Sequence, residues 1–373
     1  MSILGDNIYT TLTGDYIEGK TELDFLSGTA LSSIFRKKAK GFAEANSYPP
    51  LTLEEEAEVR DFYRGCPPFS MIFHRFYKGI TGTFDPSYMP DDLYYAHIEP
   101  FMTDRRASRF MDNKCYYPLL FPDVKQPETI CSRVGRIWTM KDGVRITPEK
   151  VLELIDSEDE TVVKASENSQ GGHGVTFISG ADRKRQFVRA VRGIRGGLTV
   201  QRAFRQHEEL SALHAGSVNT VRILSMLPGD PSEETRIVSM AVRIGQGDSR
   251  VDNLSSGGMM CGINEDGTLT KYAFRLPGVL VTGNPENGIV FEGRKLPGIE
   301  SAKALVRKIH PRMGKFRLSS WDIAIDRDGE ACLIEANFSL GIIMELQAVN
   351  GPLFGERTGE VLKEVFGRRY GEK

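Results

Sequence analysis

Apolar and polar positions follow two rhythms along this 373-residue chain, and the change between them divides it. From residue 30 to about 110 the spacing is helical and loop-rich, with a capping box at Thr52-Leu53-Glu54-Glu55 ahead of EAEVRDFYRG and no strand–helix–strand rhythm. In ITPEKVLELIDS, Thr147 is placed to cap a helix with Pro148 in its first position. Val151, Leu152, Leu154 and Ile155 form its apolar stripe, and it should end near Asp156. Runs of β-branched residues then take over. TVVKASENSQGGHGVTFIS reads as strand, glycine-rich loop and strand, ADRKRQFVRAVRGI as a helix, Gly196-Gly197 as a break and LTVQRAF as a strand. SVNTVRILSML and IVSMAVRIG continue the strand pattern, while SAKALVRKIH and GEVLKEVFGRR add helices. The sum predicts an α+β fold without internal repeats or low-complexity tracts.

The most informative stretch is WDIAIDRDGEACLIEAN, residues 321–337, where acidic side chains interrupt runs that otherwise look like interior sheet. Asp326-Arg327-Asp328-Gly329 is a reversal between two arms, so the arms should pair antiparallel as a hairpin. Closing that loop places Ile325 opposite Glu330, Ala324 opposite Ala331 and Asp322 opposite Leu333. Alternation then puts Asp322, Ala324, Ala331, Leu333, Glu335 and Asn337 on one face, and Trp321, Ile323, Ile325, Cys332, Ile334 and Ala336 on the other. Asp322 and Glu335 should lie diagonally across the pair, within reach of one ion. Hard cations such as Mg²⁺ take oxygen ligands, commonly one or two carboxylates together with nucleotide phosphates.

Composition narrows the class further. A hydrophobic content of 40%, a charged content of 26% and a net charge of −2 carry no basic excess, which argues against nucleic acid as a partner. Cys66, Cys115, Cys131, Cys261 and Cys332 are widely separated and lack a C-x-x-C spacing. That argues against a disulfide framework or structural zinc and fits a reducing cytoplasm. No basic start followed by an apolar stretch reads as an export signal, and no apolar run reads as a membrane span.

Gly171, Gly172 and Gly174 lack a Cβ, so their backbone can approach a polyanion closely, and a hairpin loop of this kind can act as a lid. The loop joins two strands, whereas G-x-x-x-x-G-K-[ST] and G-x-G-x-x-G lead into a helix, and neither of those patterns occurs here. Lys164, on the strand leading in, offers a point charge for phosphate oxygens. His173 and His207 make no metal spacing and no Ser/His/Asp grouping, and read as loop histidines.

Taken together, VVKAS, GGHGV, VQRAFRQHE and the late hairpin resemble the ATP-grasp superfamily of carboxylate–amine ligases. The resemblance implies two α+β lobes clasping ATP, a small lobe with the glycine-rich lid at 109–200 and a large lobe with the metal hairpin at 201–373, preceded by the mainly helical region at residues 1–108. It implies that Lys164 and the Gly171, Gly172, His173 and Gly174 loop cover the triphosphate. VQRAFRQHE is similar to the adenine-binding linker of D-alanine–D-alanine ligases. Gln201 then stands where a glutamate usually binds adenine, Ala203 lies in the same linker, and Glu208 takes the ribose. A Gln carbonyl can still accept from the adenine amine. By the same resemblance Glu335 bridges two Mg²⁺ ions, with Asp322 on one and Asn337 on the other.

AVRIGQGDSRVDNLSSGG resembles a segment of ribosomal-protein and poly-glutamate ligases, which implies that Arg243 and Asn253 face the transferred phosphoryl group beside Gly257 and Gly258. Arg222, inside a β-branched run, needs a partner that is either substrate or a structural carboxylate. Lys114 sits where the superfamily often has a first phosphate-binding lysine, although its own surroundings read as a solvated helix. Over residues 105–350 the chain resembles ATP-grasp proteins associated with sugar transfer, sharing Q-H-x-x-L…N-T-x-R, D-N…G-G and W-D-I…E-A-N. Before residue 105 the open α/β substrate domain of the better-known ligases is not evident.

The resemblance implies an enzyme that uses ATP and Mg²⁺ to activate a small-molecule carboxylate as an acyl phosphate and pass it to an amine, in glycan, cell-envelope or natural-product assembly. Phosphorylation of a hydroxyl, or a non-catalytic nucleotide-responsive role in a polysaccharide-assembly complex, are the alternatives. The substrates and the oligomeric state stay open.

Overall fold

Three helices come first: α1 (Gly28–Ala45), α2 (Leu53–Phe62) and α3 (Ile72–Thr81). The computed structural model describes residues 28–166, 174–194 and 196–367, so Gly171, Gly172 and His173 lie outside the described residues. Both halves of the expected capping box form, Thr52 Oγ1 accepting from Glu55 N at 3.2 Å and Glu55 Oε2 from Thr52 N at 2.8 Å.

A six-stranded antiparallel sheet follows. Its strands are β1 (Thr129–Val134), β2 (Ile137–Met140), β3 (Arg145–Ile146), β4 (Glu160–Ala165), β5 (Val175–Ser179) and β6 (Leu198–Arg202), in the order β3-β2-β1-β6-β4-β5. Helices α4 (Pro148–Asp156) and α5 (Arg183–Gly193) pack on it through Val151, Ile155 and Phe187. Thr147 caps α4 by accepting from Lys150 N, as its sequence predicts. The β1–β3 meander is not legible in the sequence, because its strands are short and half-exposed and carry no clean alternation.

The second sheet has seven antiparallel strands: β7 (Val221–Met226), β8 (Arg236–Ile244), β9 (Met259–Ile263), β10 (Leu269–Arg275), β11 (Val279–Val281), β12 (Leu318–Ile325) and β13 (Ala331–Asn337). Their order is β11-β10-β9-β8-β7-β12-β13. Helices α6 (Glu208–Leu213), α7 (Ile299–Ile309) and α8 (Met344–Asn350) complete the unit. One face of this sheet, with Val221, Ile223, Trp321 and Ile323, packs against α6 and α7. The opposite face carries Leu224, Met226, Ala241 and Leu318 and is covered by α1, α3 and α8. Arg222, Arg243 and Asp322 belong by alternation to this second face, at the end the helices leave to the smaller sheet.

The hairpin register differs from the sequence expectation. Ile325 opposes Ala331, Ala324 opposes Cys332 and Ile323 opposes Leu333; the register then shifts, so that Asp322 opposes Glu335, Trp321 opposes Ala336 and Ser320 opposes Asn337. Two causes combine. The turn closes one residue later, with Asp326 N bonded to Glu330 O and Gly329 at φ 82°, which moves Ala331 and Leu333 to the core face. Ile334 is then an extra residue in β13, a bulge that restores Glu335 and Asn337 to the face of Asp322. Asp322 and Glu335 are therefore direct neighbours and not diagonal ones.

Between the N-terminal helices and α8 lies a buried polar cluster. Lys38 Nζ donates to Glu345 Oε1 at 2.8 Å, the Tyr77 hydroxyl donates to Asp91 Oδ1 at 2.9 Å, and Ser70 N donates to Asp92 Oδ2 at 2.9 Å. Burial pushes Asp91 up to about 8 and Asp92 up to about 6. With both folded values above the ordinary 3.8, the associated stability is full below 3.8 and is lost as pH rises through about 6 and then about 8. Asp91→Asn keeps an acceptor for Tyr77 and removes the titration. Scanning calorimetry between about pH 5 and 8.5 should show Tm of the variant falling less than that of wild type and exceeding it at the alkaline end. Parallel curves would reject the assignment.

Candidate active site

The cavity between the two sheets, of about 230 Å³, is walled by side chains from both. The smaller sheet supplies Val162, Lys164, Val175 and Phe177, and the larger supplies Arg222, Arg243, Met260, Glu335 and Asn337. Lys114, Asn253 and Leu340 reach it from loops and turns. Seven of the residues singled out in the sequence thus meet here: Lys114, Lys164, Arg222, Arg243, Asn253, Glu335 and Asn337.

Beneath this wall runs a chain of alternating charge. Arg222 grips Asp322 with two bonds, Nε to Oδ1 at 2.5 Å and Nη2 to Oδ2 at 2.9 Å. Arg243 Nη2 donates to the same Oδ2 at 3.0 Å and lies 3.3 Å from Asp252 Oδ1. Asp252 Oδ2 accepts from the amide and hydroxyl of Thr220 at 2.9 and 2.6 Å, and that hydroxyl accepts from Arg243 Nε at 3.0 Å. Antiparallel register dictates the arrangement: Arg222 stands opposite Asp322, and Arg243 N bonds Thr220 O one strand away. Burial alone would raise the Asp322 carboxyl, but Arg222 and Arg243 outweigh it and hold it below the ordinary range.

Glu335 takes Lys114 Nζ at 2.8 Å on Oε1. Lys114 is therefore not the solvated helix lysine that its surroundings suggest: it opens a short 3₁₀ turn, its side chain is only 10% exposed, and its amide is pinned to Ser166 O. The bulged stretch of β13, an edge strand, is held from outside by Tyr117, whose hydroxyl donates to Ala336 O at 3.0 Å and accepts from Ala336 N at 2.9 Å. Asn337 Nδ2 is buried without a hydrogen-bond partner among the described residues. Across the cavity, burial and then the like charge of Lys114 push the Lys164 ammonium down to about 8.

The other candidates are placed less centrally. Gln201 sits on β6 opposite Val162, its Nε2 donating to Thr129 Oγ1 at 3.3 Å and its Oε1 buried without a partner among the described residues. Ala203 donates its amide to Glu160 O, and Glu208 is exposed at the start of α6; neither lines the cavity. Gly174 has φ 74° beside Ala165, and Gly257 and Gly258 end the turn that Asn253 opens. A Cβ at Gly258 would stand within 3 Å of three carbonyl oxygens.

Sequence reading missed Arg250. It stacks 4.0 Å over the Phe177 ring and pairs with Glu160 at 2.9 Å, linking the loop after β8 to the smaller sheet. Such a contact between distant segments leaves no local pattern. The charge chain also yields a test. Asp322→Asn, nearly isosteric, leaves two buried guanidiniums short of a countercharge and should lower the unfolding free energy by about 3 kcal/mol in urea titrations. A loss under about 0.5 kcal/mol would show that the pairing is not structural.

A family model described as sugar-transfer associated ATP-grasp matches residues 96–363. A search of curated proteins returned no match. Among solved structures the chain is similar to D-alanyl-alanine synthetase A of Vibrio cholerae, at 15% identity and a TM-score of 0.41, over 71% of this chain and 65% of that one. It is also similar to a Campylobacter jejuni biotin carboxylase, at 12% identity and a TM-score of 0.40, over 69% and 46%. A third is the biotin carboxylase domain of Hydrogenobacter thermophilus 2-oxoglutarate carboxylase, solved with MgADP, ADP and bicarbonate, at 14% identity and a TM-score of 0.42, over 86% and 57%. The chain spans less than two thirds of the length of each. The family match takes in both sheets and every cavity-lining candidate, over well more than half of the chain, and on it the protein belongs to the sugar-transfer associated ATP-grasp family.

Proposed function

We propose that this protein is an ATP-dependent ligase that converts a small-molecule carboxylate to an acyl phosphate and transfers the acyl group to an amine, in glycan, cell-envelope or natural-product assembly. The observation that carries the reading is one cavity in which Lys114, Lys164, Arg222 and Arg243 converge beside Glu335 and Asn337. Four cationic side chains suit a triphosphate and its transferred phosphoryl group. The oxygen donors beside them suit a hard cation.

The residues fit magnesium at Glu335 and Asn337, two oxygen-bearing side chains that line the cavity side by side. Asp322 is directly opposite Glu335 but is held by Arg222 and Arg243, so it joins them as a ligand only when a guanidinium yields. Bound there, magnesium would neutralise phosphate charge as transfer proceeds. Lys164 and Lys114 orient the phosphates, and Arg243, held by Asp322 and Thr220, faces the developing acyl phosphate with Asn253. Gln201 Oε1, without a partner among the described residues, can accept from an adenine amine. Within this reading the smaller sheet, which β6 carries on to Arg202 and so past the boundary at residue 200, serves as the small ATP lobe and the larger sheet as the large one, and the supply of ATP suits the cytoplasm. Among the described residues no helix is long and apolar enough to cross a membrane.

Glu335→Gln removes a ligand charge with little change of shape and should abolish ADP release from MgATP while Tm stays close to wild type; undiminished release would defeat the mechanism. Lys164→Ala should weaken MgAMP-PNP binding at least tenfold by calorimetry. Equal affinity would reject the lysine's role. Screening carboxylates with hydroxylamine present separates ligation from phosphorylation of a hydroxyl, because only an acyl phosphate yields a hydroxamate.

A further inference from the structure

The loop that follows β13, residues 338–343, lines the cavity with Ser339, Leu340 and Ile342 beside Glu335 and Asn337. Its polar groups are tied one after another to the segment 95–112. Phe338 N donates to Asp112 Oδ1 at 3.1 Å, Ser339 Oγ lies 2.9 Å from Ser108 Oγ, and Leu340 N donates to Glu99 Oε1 at 2.6 Å. Gly341 O accepts from the Tyr95 hydroxyl at 2.5 Å, and Ile343 N donates to that hydroxyl at 3.4 Å.

Leu340 is the point of greatest conformational demand. Its φ of 53° is in the left-handed region, which a leucine rarely adopts unless its surroundings impose it. Next to it Gly341 packs so closely on β12 that a Cβ would stand 2.6 Å from Ser320 Oγ. Glu99, 2% exposed, suits the task of holding this backbone. One oxygen takes the Leu340 amide, while the other takes Arg105 Nε at 2.8 Å. Arg105 Nη2 also donates to Tyr95 O at 2.6 Å, and the Tyr95 ring stacks on Phe35 of α1 at 4.0 Å. A carboxylate accepts on both oxygens; a carboxamide turns its NH₂ toward one of these two donors.

We propose that Glu99 is a positioning residue for this cavity, its carboxylate locking the Leu340 backbone so that Leu340 and Ile342 form the wall beside Glu335 and Asn337. That this wall bounds a substrate cavity rests on the ligase reading above. The N-terminal helical unit then shapes the site without lining that wall itself, through the same segment that leads into Lys114.

Hydrogen exchange on the full chain tests this. In Glu99→Gln the amides of 338–343 should exchange about tenfold faster, while those of β12 and β13 and the affinity for MgAMP-PNP stay at wild-type values. Adding Leu340→Gly, which adopts positive φ freely, should return the loop amides toward wild-type protection. Unchanged exchange in 338–343, a uniform loosening of the whole chain, or no recovery in the double variant would each overturn the proposal. Failure of wild type to bind MgAMP-PNP would instead sink the nucleotide reading, with the loop result standing apart from it.

Discussion

A carboxylate with 1% of its surface exposed, shared by two guanidiniums, is the constraint on which this site depends. An isolated ion at Asp322 would be expensive to bury, and Arg222 or Arg243 alone would be hardly less so. Arranged as Arg222, Asp322, Arg243 and Asp252, the four charges cancel in pairs, and both oxygens of each carboxylate are taken up by the guanidiniums or by Thr220. Each lies on a different strand or loop, so the chain of bonds fixes β7, β8, β12 and the loop after β8 in one relative position. A network of this kind contributes less to stability than to specifying one geometry. It brings two guanidiniums to the floor of a cavity in fixed orientations.

Around that floor the fold solves a parity problem. An uninterrupted alternation along β13 cannot place Ala331 and Leu333 in the core and also Glu335 and Asn337 in the cavity. The bulge at Ile334 resolves the conflict by spending one residue out of register, and Tyr117 seals the edge strand where the ladder is disturbed. The price is local; the gain is that core and chemistry share one hairpin.

Much was legible in advance because it depends on near neighbours. The α4 helix with Thr147 and Pro148, the Thr52–Glu55 capping box and the existence of the hairpin turn, though not its register, are set by residues within a few positions of one another, where local sterics and hydrogen bonds decide. The alternating residues of β7 and β12 announced strands for the same reason. Less legible were the β1–β3 meander, whose half-exposed strands give no alternation, and β9, whose residues are buried on both faces. The Ile334 bulge left no composition signal, since an extra isoleucine in an apolar run looks like any other.

By itself, then, the sequence determined which residue types could do chemistry and most of the elements that carry them: the acidic hairpin, the lysine strand and the arginines inside apolar runs. Tertiary structure alone decided their partners. That Arg222 and Arg243 hold Asp322, that Lys114 turns inward to Glu335, and that Glu99 holds an amide 241 positions away are outcomes of strand order and of a helical unit packing across the sheet. The reason is physical. A buried charge takes whichever opposite charge the fold brings within a few ångströms, and that separation is set by long-range packing, which no short window of sequence contains.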